Sequence, residues 1–426
     1  MVKVLRSIVR GPLEQYVTGF AEALLRDGYS GSSAGQQVCF IAHLDRWMSA
    51  AGAGVGELSG PVIERYLAQR RGAGYVGYRS VKAVRPLLEY LAPLGVLPIE
   101  QDPAPGPVEE LLGRYRAWLL LERGVTPGTA RGYVDCVRPF VAGRLHGGVL
   151  DMVGLTAGDV TGFVLGACPG RAVGSAKLIV CALRSLLRWL HLSGAVPVSL
   201  AAAVPSVAGW RLSGLPKGLE PGQLRSVLAT CDRRTPTGLR DYAIMLLLAR
   251  LGLRAGEVAR LGLDDVDWRR SEITVLGKGN RAERLPLPAE VGAAIAGYLR
   301  RGRPDTAQGR SVFVRVHAPH RGLTTGGVTM VVFDAAQRAG LGPMHAHRLR
   351  HTAATAMLAA GSPLSEVGQV LRHRSALTTA IYAKVDRDAL VVLARPWPVQ
   401  SRRVQSRPVQ SRPVQSRPVQ SRDGAW

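Results

Sequence analysis

Six side chains in the second half of the chain are of types that bind oxyanions, carry protons or act as nucleophiles. Leu251-Gly-Leu-Arg-Ala-Gly-Glu257 puts Arg254 at a glycine-marked turn entering a helix, with Glu257 one turn on. Gly277-Lys-Gly279 puts Lys278 at the tip of a two-strand pattern. His347-Arg-Leu-Arg-His351 places His347, Arg350 and His351 at i, i+3 and i+4, on one helix face. Leu371-Arg-His-Arg-Ser375 supplies His373, and Tyr382 follows nine residues later in Thr378-Thr-Ala-Ile-Tyr382. Planar guanidiniums hold an oxyanion in bidentate fashion. Lysine and histidine can give or take a proton. A phenol attacks once its proton, with a pKa near 10, has been removed or shared. Taken singly each residue has an ordinary reading: Arg254 as a surface residue paired with Glu257, Lys278 as a solvated hairpin lysine, Tyr382 as a half-buried aromatic.

These segments need a scaffold. Thr237 to Leu251 reads as a helix buried on most sides. Ile273 to Asn280 and Ala282 to Leu287 alternate as a β-hairpin around Gly277 and Gly279. Helical patterns follow at 289–301, 325–340 and 348–360. Two proline-rich breaks, Gln101 to Pro107 and Gly194 to Gly218, set this block at 216–395, after blocks at 1–100 and 107–196. The two earlier blocks share an order. Each opens on a helical pattern (Leu13–Leu25, Val108–Leu121). Each then has a polar turn (Ser30 to Gly35, Thr126 to Ala130), a capped segment (from Leu58, from Leu155) and an apolar helix ending near a proline (Pro98, Pro197). Duplication of a small all-helical domain is the expectation. The last stretch, 396–426, repeats the unit Pro-Val-Gln-Ser-Arg, cannot build a core and reads as a disordered, dispensable tail.

Charge narrows the partner. The 426 residues carry a formal +24, with 55 Lys and Arg against 31 Asp and Glu, which points to a polyanion. Residues 201–400 hold +13 of it, residues 1–200 hold +6 and the tail +5. No apolar run approaches the roughly 20 residues of a membrane span, and the opening residues lack the apolar core of a signal peptide. The membrane reading weakens and nucleic acid leads. The five scattered cysteines form no paired motif, so a disulfide framework or thiolate metal site is not expected, and a reducing cytoplasm is. The acidic trio Asp264, Asp265 and Asp267 could suggest a metal-dependent nuclease; its tight local spacing favours a solvated turn. Only six of the 55 basic residues are Lys. In an arginine-biased chain, Lys278 therefore suggests a required proton donor, because arginine cannot readily release a proton.

The five motifs, in this order, resemble the tyrosine recombinase (phage integrase) family. The resemblance covers about 216–395 in full, and 107–196 is similar to that family's helical core-binding, SAM-like domain. It implies a mainly α fold with a small β-sheet in the catalytic domain (α+β), behind two helical blocks. The 1–100 block is unlike the small arm-binding domain of many phage integrases, and is expected to bind DNA or mediate assembly. By position, Arg254, Lys278, His347, Arg350 and His373 would surround a DNA phosphate that Tyr382 attacks. The arginines would bind its non-bridging oxygens, His347 would accept the phenol proton, and Lys278 would protonate the leaving 5′ oxygen. Glu257 would hold Arg254 in place. His351 reads as core or support, and Arg348, Arg372 and Arg374 as contacts to the phosphate backbone.

The implied function is site-specific DNA recombination through a 3′-phosphotyrosyl intermediate, for integration, excision or transposition of a mobile element. No cofactor and no metal are expected. The partners would be double-stranded DNA and further copies of the chain: a tetramer in the synaptic complex, monomer or dimer when free. The location would be cytoplasmic and nucleoid-associated. A type IB topoisomerase-like enzyme, a chromosome-dimer resolvase and an inactive DNA-binding regulator are the alternatives. Strand exchange, genomic context and formation of a protein–DNA adduct separate them.

Overall fold

The computed structural model describes residues 9–98, 105–208, 218–277 and 281–372, together with Thr379 and Tyr382. Lys278, His373, Arg374, the apolar segment 389–394 and the repeat tail lie outside the described residues.

Among its described residues the first block holds four α-helices: α1 (Glu14–Arg26), α2 (Gly31–Ala50), α3 (Gly60–Gly72) and α4 (Val81–Leu91). Its entry is fixed by a buried carboxylate. Asp45, 1% exposed, accepts the backbone N–H groups of Gly11 and Leu13 at 2.8 Å, so donors that the start of α1 would leave unpaired are satisfied from α2. Phe20, Phe40, Leu44, Met48 and Leu67 form its core. The stretch from Ser30 to Gly35, read above as a turn, is the first turn of α2. Ser30 is its N-cap and accepts the Ser33 N–H at 3.2 Å, the helix-starting bond that competes with a free turn in such a sequence.

The second block repeats the four-helix order with α5 (Pro107–Leu121), α6 (Pro127–Ala142), α7 (Ala157–Ala167) and α8 (Val173–Leu192). Thr126 caps α6 as Ser30 caps α2. A small ribbon of β1 (Leu145–His146) and β2 (Val149–Leu150) stands between α6 and α7. Arg144 beside it pairs with Asp151 at 2.8 Å and Asp159 at 3.3 Å. Tyr115, Trp118, Leu186 and Trp189 pack the core.

The third block is built on α10 (Pro236–Arg250), which follows α9 (Pro221–Ala229). Every residue from Ala243 to Ala249 is buried, so the apolar run that fails as a membrane span is a core helix. Around it lie α11 (Ala255–Arg260), α12 (Ala289–Arg301), α13 (Thr325–Arg338) and α14 (Ala346–Ala359), with α15 (Leu364–Val370) against α14. Strands β3 (Val266–Asp267), β4 (Glu272–Leu276) and β5 (Ala282–Pro286) make one antiparallel sheet in the order β3-β4-β5. Ile273 pairs with Leu285 and Val275 with Glu283, so Ile273, Val275 and Leu285 face the core. The fold is therefore mainly helical with a small sheet in the third block, as the motif order implied.

The acidic trio is used up locally. Asp264 pairs with Arg310, Asp265 accepts the Gly262 N–H at 2.8 Å, and Asp267 accepts the Arg269 and Arg270 N–H groups at 3.0 Å. Among the described residues no cluster of His, Cys, Asp or Glu could hold a metal ion, and no helix is long and apolar enough to cross a membrane.

The first and third blocks also touch. Arg321 donates to Glu89 at 2.8 Å, and Gln308 donates to Asp27 at 2.6 Å. Between these contacts Gly28, at φ +91°, lies so close to Thr306 and His320 that a Cβ would fall 2.4 Å from His320 Cδ2 and 2.6 Å from Thr306 Oγ1. Only glycine meets both demands.

Candidate active site

Arg254 stands at the N-cap of α11. Glu257, 4% exposed, accepts the Arg254 backbone N–H at 2.8 Å through Oε2 and the Arg254 guanidinium at 2.7 Å through Oε1. One carboxylate thus starts the helix and aims the side chain. Burial alone would raise the pKa of Glu257, but the Arg254 N–H, Arg372 and the Arg254 guanidinium outweigh it and hold the group ionised. The Arg254 side chain remains 39% exposed and can meet a ligand.

Arg350 comes from the middle of the first half of α14 and is 1% exposed. Its guanidinium donates to the carbonyls of Gly252 and Leu371, two chain segments far apart in sequence. Gly252 is held at φ +58°, and a Cβ there would lie 2.4 Å from Leu371 Cδ2. Glycine is required at that turn for backbone and for space alike. Burial, with Arg254 and Arg372 nearby, lowers the pKa of Arg350 to about 10.

One turn before and one residue after Arg350 stand the two histidines. Their rings meet edge to face, 4.5 Å apart. His347 is exposed on one side, yet the protein beneath it, then Arg350 and Arg254, lower its pKa. His351 is lowered further, to about 4, by desolvation first and by His347 and Arg350 after it. It is therefore neutral at pH 7, with a ring nitrogen available as an acceptor.

His351, and not His347, meets the tyrosine: His351 Nδ1 lies 2.7 Å from Tyr382 Oη, with the rings 5.4 Å apart. Tyr382 is 1% exposed, packed with Ala354, Val367 and Leu371. Desolvation raises its pKa and the charge of Arg350 opposes the rise. Sequence reasoning left His351 aside as core or support. Its i+4 spacing from His347 was visible; its contact to Tyr382 depends on chain 31 residues away and was not.

Arg254, His347 and Arg350 line one cavity of about 320 Å³ with Gly256, Thr325 and His345. Arg372 is the correction. Expected to reach the phosphate backbone, it turns inward: its side chain is 3% exposed and its Nη2 donates to Glu257 Oε2 at 2.7 Å. Its backbone sits at φ +55°, which sends the side chain under the site. A larger groove of about 900 Å³, lined by Cys231, Arg233, Tyr242 and Arg301, lies between α10 and α12 and includes none of the candidate residues.

The fold and the paired arginines with a buried tyrosine define a class. Residues 217–388 match the model of the phage integrase family. The chain belongs to this family of tyrosine recombinases, enzymes that cleave and rejoin DNA strands. A Sinorhizobium fredii protein described as an integrase/recombinase (y4rA) is 41% identical over 397 residues, covering 92% of this chain and 96% of that protein. The tyrosine recombinase XerD of Listeria monocytogenes is 30% identical over 285 residues, 66% of this chain and 95% of that one. Among solved structures, the XerH site-specific recombinase bound to its palindromic difH substrate aligns with a TM-score of 0.55 at 17% identity, over 70% of this chain and 98% of that chain. That likeness is one of fold.

Proposed function

We propose that the chain is a site-specific recombinase of a mobile element, and that Tyr382 attacks a DNA phosphodiester to give a 3′-phosphotyrosyl bond and a free 5′ hydroxyl. The observation that carries this reading is the contact of Tyr382 with a neutral His351 beside Arg350. A phenol is a poor nucleophile at pH 7. A neutral imidazole 2.7 Å away can accept its proton, and a neighbouring guanidinium stabilises the phenolate that results.

Arg350 and Arg254 flank the cavity where the phosphate would sit, one fixed from below and one reaching in from the rim. Together they supply positive charge for the non-bridging oxygens as negative charge builds on them. His347, on the same helix face, would share that task. Tyr382 must leave the Val367–Leu371 cluster to attack. Lys278 would protonate the leaving 5′ oxygen and His373 would contact the same phosphate; both roles rest on sequence position. The phosphotyrosyl bond conserves the energy of the broken linkage, so a 5′ hydroxyl from a partner strand can reverse the step without a nucleotide cofactor.

The second and third blocks would clamp duplex DNA, and four copies would assemble for synapsis. The fold of XerH, solved on its DNA substrate, supports the clamp. The relationship to an integrase/recombinase along nearly the whole chain supports a mobile-element role more than chromosome-dimer resolution. The test is a nicked suicide duplex carrying the core site that the wild type footprints. Wild type should accumulate a covalent protein–DNA adduct and Tyr382→Phe should form none. An adduct formed by Tyr382→Phe would overturn the assignment.

A further inference from the structure

Arg372 sits where three parts of the catalytic block meet, and nothing in its sequence motif announces that. Its Nη2 donates to Glu257 Oε2 at 2.7 Å, while Oε1 of the same carboxylate accepts from Arg254. Its Nε, a buried atom, lies 3.7 Å from Glu283 Oε2 on β5 and has no hydrogen-bond partner among the described residues. Its Nη1 donates to the Val370 carbonyl at 3.1 Å, closing the end of α15. The residue before it, Leu371, gives its carbonyl to Arg350 and its side chain to the cluster around Tyr382. The residue after it is His373.

The backbone makes the arrangement costly to keep. Arg372 holds φ +55°, a conformation that side-chain-bearing residues rarely adopt and that glycine adopts freely. An arginine retained there has a role for its side chain, because the backbone alone would favour glycine. A buried guanidinium beside Arg254 and Arg350 is also electrostatically adverse unless a carboxylate offsets it, and Glu257 does so for both Arg254 and Arg372.

The geometry points to Arg372 as a positioning residue for strand cleavage. It shares Glu257 Oε2 with the Arg254 backbone N–H while Oε1 holds the Arg254 guanidinium, and so fixes the carboxylate that aims that guanidinium. Through Glu283 it ties that pair to the hairpin whose connection contains Lys278. Through the chain itself it sets the start of the segment that leads from His373 to Tyr382. One side chain therefore couples the arginine that meets the phosphate, the strand that leads to the proton donor and the segment that leads to the nucleophile. Among the described residues, the polar contacts of the Arg372 side chain are to Glu257, Glu283 and the Val370 carbonyl, none of them a reacting group.

This assignment rests on the cleavage reading above, and Arg372→Gly tests it. That substitution removes the guanidinium and the backbone strain together, so the variant retains a relaxed turn. On the nicked suicide duplex at saturating concentration, the rate of adduct formation should fall by about 100-fold, as misplacement of a catalytic group by an ångström does. DNA affinity should be unchanged, because the side chain is 3% exposed. Glu257→Gln should lower the rate similarly, and the double variant should be no slower than the slower single one. Added guanidinium ion should restore part of the rate of Arg372→Gly.

A wild-type rate in Arg372→Gly would overturn the assignment. So would a loss of affinity in proportion to the loss of rate, which would make Arg372 a phosphate contact. If the wild type itself forms no adduct, the cleavage reading fails, and thermal melting decides on Arg372 alone. Non-additive shifts for Glu257→Gln and Arg372→Gly would uphold the shared network, and additive shifts would remove it.

Discussion

Gly252→Ala offers a measurement in which backbone and packing contributions separate. Gly252 holds φ +58°, and an added methyl would lie 2.4 Å from Leu371 Cδ2 and 3.5 Å from Ala353 Cβ. A left-handed conformation costs an alanine about 1–2 kcal/mol. Forcing a methyl into a filled site costs about 1–3 kcal/mol more. The expected loss is therefore roughly 2–5 kcal/mol, concentrated where α10, α14 and Leu371 meet. Native-state hydrogen exchange of amides in α10 and α14 reads that local loss in the full chain. Repeating the substitution in a Leu371→Ala background removes the closest neighbour, so only the backbone contribution, about 1–2 kcal/mol, should remain. Because the Gly252 carbonyl accepts from Arg350, the single variant should also cleave DNA more slowly. Protection within about 0.5 kcal/mol of wild type, the range of a neutral surface change, would refute the reasoning. An equal cost in both backgrounds would refute the packing half of it.

Three further outcomes follow from contacts already described. His351 has its pKa depressed from 6.5 to about 4, so the unfolded chain binds its proton first; stability should be full above pH 6.5 and decline as pH falls toward 4, with the decline shallower in His351→Gln by denaturant titration across that window. Lys278→Ala should cleave slowly on an ordinary phosphodiester and recover on a 5′-bridging phosphorothiolate, whose leaving group needs no proton; absence of recovery would exclude the general-acid role. Glu89→Arg and Arg321→Glu should each loosen the contact of the first block with the third by about 0.2–1 kcal/mol, the usual worth of an exposed ion pair, and the double exchange should restore protection of the 306–321 amides.

The sequence was most legible where geometry is local. Residues 289–301 are a helix with those bounds, because Val291, Ile295 and Tyr298 recur at helical spacing and no proline interrupts them. Arg254 and Glu257 pair as their spacing suggested, since a capped helix start is decided within four residues. The hairpin around Gly277 follows from alternation and two glycines. The Ser30 segment was misread because the same polar residues serve turns and helix caps, and only the helix that follows decides between them. The β1–β2 ribbon is too short to leave a pattern. What could not be read was long-range: the Tyr382–His351 contact, the inward turn of Arg372 and the seating of Gly28 against His320 join segments whose meeting depends on the whole fold. The direction of Arg372 depends on a positive φ that no arginine advertises.

The two carbonyl bonds of Arg350 have a thermodynamic consequence. A free arginine side chain loses roughly 2 kcal/mol of rotational freedom when it is immobilised. In this chain that loss falls on folding, because Gly252 and Leu371 hold the guanidinium before any DNA arrives. Binding then spends nothing on ordering it, and the group is already fixed as charge develops on the phosphate. Arg254, whose side chain is 39% exposed, is held by one carboxylate, Glu257, at its backbone N–H and at Nη1, and the rest of its guanidinium can adjust to a moving oxygen. The pair thus divides into a static reference and an adjustable arm, one set by the interior of the protein and the other by its substrate.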